Sequence, residues 1–158
     1  MRALKFLITA ILLTLFMSAS TMAAERINTL EKKGLFGYAP NGIAIRGYDT
    51  VAYFTQGQPV KGNDAFSTQW QGATWKFSSQ SNLDLFTGDP EKYAPQYGGY
   101  CAYGVAVGSL VKIEPDLWSI VEGKLYLNYN DKFNDTWKED ISGYIAAADE
   151  KFESLLKE

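Results

Sequence analysis

Glycine, tyrosine and the only cysteine of the chain are concentrated in one stretch, Tyr97–Gly108. A phosphate-binding loop would need a Lys-Ser or Lys-Thr pair after its glycines, and none follows them here. Two interpretations remain: the glycines allow unusual backbone angles around a buried thiol, or the tyrosines line a pocket with the thiol at its floor. A buried thiol is the commoner arrangement. The ligand-binding candidates of the second interpretation are Tyr97, Tyr100, Cys101 and Tyr103.

Asp49 is the other candidate for chemistry, because it lies between Tyr48 and Tyr53 in a second aromatic segment. An aspartate in a turn more often accepts hydrogen bonds from nearby backbone amides than transfers protons. Acid–base catalysis by carboxylates alone needs a second acid close by, and no pair of acids has a spacing that predicts this. We therefore count Tyr48, Asp49 and Tyr53 as ligand-binding candidates, name no catalytic residue and favour a protein that is not an enzyme.

The residue types that the chain lacks exclude several classes of site. It has no histidine, and its three methionines are Met1, Met17 and Met22. Zinc sites need about four ligands from Cys, His and carboxylates, and copper sites need imidazole, thiolate or thioether groups. Catalytic Ser-His-Asp and Cys-His sets are excluded because no imidazole can act as the base. We predict no cofactor, and a metal ion only if two chains share it through Cys101.

The N-terminus has the three parts of an export signal. Arg2 and Lys5 precede a mostly apolar run, Phe6–Met17, and mainly small residues follow up to Ala24. Signal peptidase cleaves after such a region, and a membrane-spanning helix would need a longer run of about 20 apolar residues. The sequence therefore predicts a signal peptide over residues 1–24. We expect a protein exported to the periplasm or secreted, with no membrane anchor after cleavage.

Charge and length describe what remains after cleavage. The full chain has 15 basic and 18 acidic residues and a net charge of −3, and cleavage would remove two basic residues and no acid. An acidic protein without a basic cluster is a poor candidate for binding nucleic acid or an anionic membrane. The remaining part has the size of one domain. We expect an N-terminal arm over residues 25–40 and a single domain over residues 41–158.

The spacing of apolar residues predicts two β-hairpins. In residues 66–77 and 118–129, apolar side chains alternate on both sides of a central Gln-Gly or Glu-Gly pair. This pattern is typical of two paired strands that bury one face. Residues 42–47 also alternate between two glycines, and we predict a short strand there.

Helix signals occupy the rest of the domain. Ser79 can cap a helix that Gly88 ends, and Asp89-Pro90 can start another turn. Asp131 begins a short helix, and the apolar residues of Ile141–Leu156 follow helical spacing. We therefore predict an α+β domain with two β-hairpins, short helices and a C-terminal amphipathic helix.

Six segments form an ordered set of motifs over residues 40–146. They are Gly47–Phe54, Trp75–Ser79, Phe86–Tyr93, Tyr97–Ala106, Leu125–Tyr129 and Trp137–Ile141. Together they resemble the exported branch of the YHS-domain family. The resemblance implies a small α+β module. Because relatives fused to metal-transporting ATPases are associated with soft-metal handling, it also implies a metal-binding or metal-sensing accessory outside the cytoplasm.

The resemblance also implies where metal ligands would be found. In metal-type relatives a cysteine occupies the position of Ala52. Their Tyr-His-Ser signature and second cysteine correspond to Phe77, Ser78, Ser79 and Asn82. The side chains found here are apolar, hydroxyl or amide groups, so the resemblance implies a family scaffold whose metal-ligand positions are lost.

Two functions follow from these observations. The first is a non-enzymatic binding module that uses the two tyrosine segments to hold a small ligand or a partner protein. The alternative is a thiol-dependent accessory in which Cys101 binds a soft ion such as Cu(I) between two chains, links a dimer or enters redox exchange. A reactive thiol needs a nearby cation or helix N-terminus, and the nearest cations in the sequence are Lys92 and Lys112. An enzyme working through Asp49 and tyrosines ranks last.

Overall fold

The computed structural model describes residues 25–35 and 37–158, so the predicted signal peptide lies outside the described residues. Within these ranges the chain is α+β, as predicted, with three strand pairs and six α-helices. In chain order the elements are β1 (Leu30–Lys33), β2 (Gly37–Pro40), α1 (Thr50–Thr55), β3 (Asn63–Trp70), β4 (Ala73–Phe77), α2 (Gln80–Gly88), α3 (Pro90–Tyr93), α4 (Ala102–Ala106), β5 (Glu114–Val121), β6 (Lys124–Asn128), α5 (Asp131–Glu139) and α6 (Ile141–Leu155).

The two predicted hairpins are confirmed. β3 pairs antiparallel with β4, and β5 pairs antiparallel with β6. Each hairpin turns through two residues with positive φ, Gln71 (48°) and Gly72 (80°) in the first and Glu122 (50°) and Gly123 (75°) in the second. Two-residue turns of this kind match the right-handed twist of the strands, which is why a Gln-Gly or Glu-Gly pair fixes the register.

The N-terminal arm forms a third strand pair, which the sequence pattern did not predict. β1 pairs antiparallel with β2. Just before β1, residues 27–29 are buried. The backbone amide of Asn28 donates to the Gly98 carbonyl across 2.8 Å, and its side-chain amide donates to the Gly99 carbonyl across 2.9 Å. The arm is therefore attached to the domain by specific hydrogen bonds.

The predicted strand over residues 42–47 is wrong. The chain forms a tight 3₁₀ turn over Ala44–Gly47, in which Ile45 (φ 51°) and Arg46 (φ 54°) adopt left-handed backbone angles. Both Ile45 and Gly47 are buried, so the alternation of apolar residues reflects packing of a turn and not a pleated strand. Within residues 42–47, the one β-type contact is an isolated bridge between Ile43 and Thr74 of β4.

The helices begin where the sequence supplies caps. Ser79 accepts from the Asn82 amide at the start of α2, and Asp89 accepts from the Lys92 amide at the start of α3, whose first residue is Pro90. α5 begins at Asp131 as predicted, after the cap Asn130. These side-chain caps satisfy amides that have no partner within the helix.

Strand β6 lies between two hydrophobic clusters and is buried on both faces. Leu125 and Leu127 pack in a cluster with the β3–β4 hairpin, α1 and α2. Tyr126 faces a second cluster built mainly from α4 and the apolar stripe of α6. The predicted apolar stripe of α6 is confirmed, with Ala148 and Phe152 among its buried residues. No helix in the described part of the chain is both long and apolar enough to span a membrane.

Candidate functional site

A cleft of about 560 Å³ opens beside the glycine-rich segment, and we call it the Tyr97 cleft. Four stretches of the chain line it, beginning with Arg26 and Ile27 of the N-terminal segment. The end of the β3–β4 hairpin supplies Trp70, the 3₁₀ turn over Gln96–Gly99 supplies Tyr97 and Gly98, and α6 supplies Asp149. Small-molecule sites have volumes of about 300–1,000 Å³, and this cleft lies in that range.

The turn at the base of the cleft requires glycine at position 98. Tyr97 (φ 55°) and Gly98 (φ 60°) both adopt left-handed angles. A Cβ added at Gly98 would lie only 1.8 Å from the backbone oxygen of Arg26, because the N-terminal segment crosses directly over the turn. Because Gly98 has no side chain, the backbone of the N-terminal segment can pass close to the turn, and this brings Arg26 to the rim of the cleft.

A hydrogen bond between Tyr97 and Asp149 fixes the side of the cleft formed by α6. The Tyr97 hydroxyl donates to Oδ1 of Asp149 across 2.9 Å, and the Tyr97 ring packs edge-on against Phe152 at 5.7 Å between ring centroids. Burial, followed by the hydrogen bond to Asp149 and its negative charge, raises the pKa of Tyr97 well above its usual value. Tyr97 is therefore a neutral donor over the physiological pH range.

An ion pair lies at the rim. The guanidinium of Arg26 donates to both carboxylate oxygens of Glu153, across 2.8 and 2.7 Å. Both side chains are about half exposed, so the pair contributes little to stability. Both bonds come from one guanidinium nitrogen, and they place the Arg26 charge beside the Glu153 carboxylate at the rim. The remaining charged residue of the lining is Glu91.

Trp70 forms a fixed aromatic wall. Its ring packs edge-on against Trp75 at 5.5 Å and against Phe86 at 5.7 Å between centroids. The Trp70 carbonyl also accepts a hydrogen bond of 3.0 Å from the Trp75 indole. Trp70 itself is only partly buried, so part of the ring remains available at the cleft while its position is set by the core.

Asp49, one of the sequence candidates, is fully buried away from the cleft. It caps α1, with Oδ1 accepting from the amides of Val51 and Ala52. Its Oδ2 accepts from the Ser78 amide at 2.8 Å, the Ser78 hydroxyl at 2.6 Å and the Asn82 side-chain amide at 2.7 Å. With five donors on one carboxylate, Asp49 joins α1 to the start of α2 and has little capacity left for a ligand.

The tyrosines beside Asp49 do not approach the Tyr97 cleft either. Tyr53 is buried, its hydroxyl donates to the Pro115 carbonyl across 3.0 Å, and burial raises its pKa strongly. Its ring packs edge-on against Trp118. Tyr48 is partly buried, with the Lys61 ammonium 4.6 Å from its ring centroid. The aromatic segment around Asp49 is therefore part of the core and its edge.

Two more tyrosine candidates have structural contacts of their own. Tyr100 is buried, and its hydroxyl donates to the Glu25 carbonyl across 2.8 Å. Burial, followed by the charge of Glu25, raises the pKa of Tyr100 to about 12. Tyr103 packs between Phe133 and Tyr144, with centroid distances of 5.0 and 5.2 Å. Of the predicted site residues, Tyr97 is the one that lines the cleft.

Cys101 has no exposed surface. It caps α4 by accepting from the Gly104 amide at 3.4 Å, and its thiol lies 3.4 Å from the Asn128 side-chain oxygen. Burial raises the pKa of the thiol, which outweighs the lowering by nearby backbone amides. The structure thus matches the first interpretation of the glycine-rich segment, in which the thiol is a buried core residue.

The positions that the family resemblance implies as metal ligands hold apolar or hydrogen-bonded side chains in this structure. Ala52 and Phe77 are fully buried apolar residues, and Ser79 caps α2. Ser78 and Asn82 both donate to the Asp49 carboxylate, so the space between these positions is filled by a hydrogen-bond network without a thiolate or imidazole. Within residues 25–35 and 37–158, no three His, Cys, Asp or Glu side chains are grouped so that they could hold a metal ion.

Among the residues that line the cleft, the sequence pattern indicates only Tyr97 as a candidate. Trp70 lies within the predicted hairpin over residues 66–77, and Asp149 lies within the predicted C-terminal helix, but neither pattern indicates a site. Arg26 and Glu91 were not singled out at all. One available signal was the position of Trp70 directly before the Gln-Gly turn, where a large ring at the end of a hairpin cannot be covered on both sides.

Comparison with known proteins gives one match. A family model described as the YHS domain matches residues 51–97. The chain matches no curated protein and no solved structure. The matched part runs from α1 to Tyr97 and includes Trp70 and Glu91, whereas Arg26 and Asp149 lie outside it. The Tyr97 cleft is therefore built between the YHS-matched part and flanking parts of this chain.

Proposed function

We propose that the protein is exported and acts as a non-enzymatic binding module that holds a small ligand in the Tyr97 cleft. The observation behind this proposal is the cleft itself, with a volume of about 560 Å³ and walls fixed from three sides. Trp70 is held by core aromatic rings, Tyr97 by Asp149, and Gly98 by the N-terminal segment. Walls that are ordered before binding lower the entropic cost of holding a ligand.

The match of residues 51–97 to the YHS domain supports a binding module of the metal-associated kind. The residues at the implied ligand positions favour a different ligand in this chain, because Ser78 and Asn82 are engaged by Asp49. Export is supported by the order of basic, apolar and small residues in residues 1–24.

Thermal-shift measurements on the purified protein test the binding role. The compound set contains small amines, carboxylates, sugars and nucleosides. Gln96 lines the cleft, so Gln96→Trp fills it, and Gln80→Trp adds the same ring at an exposed position on α2. We expect at least one compound to raise the melting temperature of the wild type and of Gln80→Trp, but not of Gln96→Trp, since a ligand stabilises only the state it binds.

Two results would contradict the binding role. One is that no compound stabilises the wild type, and the other is that Gln96→Trp responds as strongly as the wild type. Export is tested separately, by expressing the full chain and asking whether a shortened product is recovered outside the cytoplasm. Full-length protein confined to the cytoplasm would contradict it.

A further inference from the structure

We propose that the ligand of the Tyr97 cleft is a small organic cation, an ammonium compound with an apolar or aromatic body. This inference rests on the proposed function, because it names the ligand class of the same cleft. It follows from the charges that line the cleft, from Trp70 in the same lining and from the volume of the cleft.

The lining contains three carboxylates and one guanidinium. The carboxylates are Glu91, Asp149 and Glu153, and the guanidinium is Arg26. Arg26 donates to both oxygens of Glu153, so these two charges are paired with each other. Glu91 and Asp149 then leave the cleft with a negative excess, which attracts a cation and repels an anion.

Asp149 is held in place without being neutralised. Its partner Tyr97 is an uncharged donor, and one hydroxyl on Oδ1 uses only part of the accepting capacity of a carboxylate. The contact therefore orients the exposed Asp149 side chain and leaves most of its accepting positions open to a ligand. An ammonium group that approaches Asp149 can form a charge-assisted hydrogen bond, which is roughly twice as strong as one between neutral groups.

Trp70 explains why the cation should carry an apolar or aromatic body. The indole is the most favourable aromatic side chain for cation–π contact, and apolar groups also pack well on its surface. Trp75 and Phe86 fix the Trp70 ring, so a ligand would meet a surface that is already in place. The cleft volume of about 560 Å³ lies within the range of small-molecule sites.

The test uses three probes of nearly equal size and different charge: 4-phenylbutylammonium, 4-phenylbutanol and 4-phenylbutyrate. Isothermal titration calorimetry measures the affinity of each for the purified wild-type protein. Glu91 and Asp149 are exposed, so we expect saturable binding of the ammonium compound about fivefold tighter than that of the alcohol, and the weakest binding for the carboxylate.

Charge variants locate the effect. Asp149→Asn removes the charge but keeps an oxygen that can accept from Tyr97, and we expect it to weaken ammonium binding by about threefold. Glu91→Gln should weaken it as well. Glu150→Gln makes the same change in charge at an exposed neighbour of Asp149 that does not line the cleft, and should leave the affinity within about twofold.

The result that supports the inference is a preference for the ammonium probe that Asp149→Asn reduces and Glu150→Gln does not. The inference is overturned if the alcohol or the carboxylate binds as tightly, if none of the probes binds, or if Asp149→Asn has no effect. The thermal-shift measurement separates the two proposals. If the compounds that stabilise the wild type but not Gln96→Trp are neutral or anionic, the proposed cationic ligand is wrong and the binding role stands. If no compound stabilises the protein, both proposals are wrong.

Discussion

Tyr97 donates its hydroxyl to Oδ1 of Asp149 across 2.9 Å, although the two residues are 52 positions apart in the chain. Tyr97 is the last residue of the part that matches the YHS domain, and Asp149 lies on α6, outside it. The contact thus links the family-like part of the fold to the C-terminal helix, and the Tyr97 cleft exists only where the two parts meet.

Two substitutions of Tyr97 separate the contribution of its hydroxyl to stability from that of its ring. Tyr97→Phe removes the bond to Asp149, and we expect a loss of about 1 kcal/mol in the free energy of unfolding. Tyr97→Leu also removes the ring that packs against Tyr126 and Phe152, and should cost at least about another 1 kcal/mol. Urea denaturation followed by circular dichroism measures both. Equal stabilities of the wild type and Tyr97→Phe would show that the hydroxyl contact contributes nothing.

Gly98 and Gly108 form a matched pair for testing the close backbone approach under the cleft. Both have positive φ, but a Cβ at Gly98 would meet Arg26 whereas a Cβ at Gly108 meets nothing within 4 Å. Gly108→Ala should therefore cost about 1 kcal/mol of backbone strain. Gly98→Ala should cost at least about 2 kcal/mol more, because the N-terminal segment must move. Similar melting temperatures for the two variants would contradict this placement of Arg26.

Asp49 should matter to folding more than any exposed acid. Asp49→Asn replaces one accepting oxygen by a donating amide among five donors, and we expect a loss on the order of 3 kcal/mol in the free energy of unfolding. Asp64→Asn is the control, because the Asp64 side chain is 89% exposed and its pair with Lys76 should contribute little. If chemical denaturation gives equal stabilities for the two variants, the Asp49 network does not join α1 to α2 as described.

Stability should fall at alkaline pH because buried tyrosines must stay protonated in the fold. Burial raises the pKa of Tyr100 to about 12, and also raises those of Tyr97 and Tyr53, above the usual value of 10.0. Above pH 10 the folded state then binds more protons than the unfolded state, so the free energy of unfolding decreases as pH rises. The stabilisation is fully present below that pH.

Urea denaturation between about pH 8 and pH 11.5 measures this dependence. Tyr100→Phe removes one of the contributing groups and should make the decline shallower. A free energy of unfolding that stays constant across this range would show that these hydroxyls are as accessible in the folded protein as in the unfolded chain.

Cys101 should react with a thiol reagent only after unfolding. The side chain has no exposed surface, so a reagent cannot reach the sulfur in the folded protein. Burial also raises the pKa of the thiol, which disfavours the reactive thiolate form. We expect no stoichiometric reaction with a disulfide reagent under native conditions and complete reaction in denaturant. Rapid native labelling, or a dimer that a reductant separates, would favour the thiol-dependent alternative instead.

The hairpins and helix caps could be predicted because their signals are local. A turn made of a polar residue and a glycine, between alternating apolar residues, defines a hairpin within about a dozen positions. Ser79 and Asp89 each precede a helix and accept a hydrogen bond from an amide in its first turn. The strand prediction for residues 42–47 failed for the opposite reason. The left-handed angles of Ile45 and Arg46 depend on burial of the turn against distant parts of the chain, which alternation cannot reveal.

The cleft could not be predicted because its parts meet only in the tertiary structure. Tyr97 was a candidate from its unusual neighbours, but Arg26 reaches the rim only because Gly98 lets the N-terminal segment pass across the turn. In the same way, Asp149 becomes part of a site only when α6 packs against Tyr97. The density of tyrosines also predicted Tyr53 and Tyr100 as ligand-binding residues, but their hydroxyls donate to backbone carbonyls of the protein itself.

An amide NMR titration of the protein with 4-phenylbutylammonium shows directly where this ligand binds in the fold. Ligand binding in the Tyr97 cleft predicts saturable shifts concentrated at Trp70, Tyr97, Gly98 and Asp149, with little change at Cys101. Shifts centred on any other part of the fold, or no saturable shift, would contradict the account.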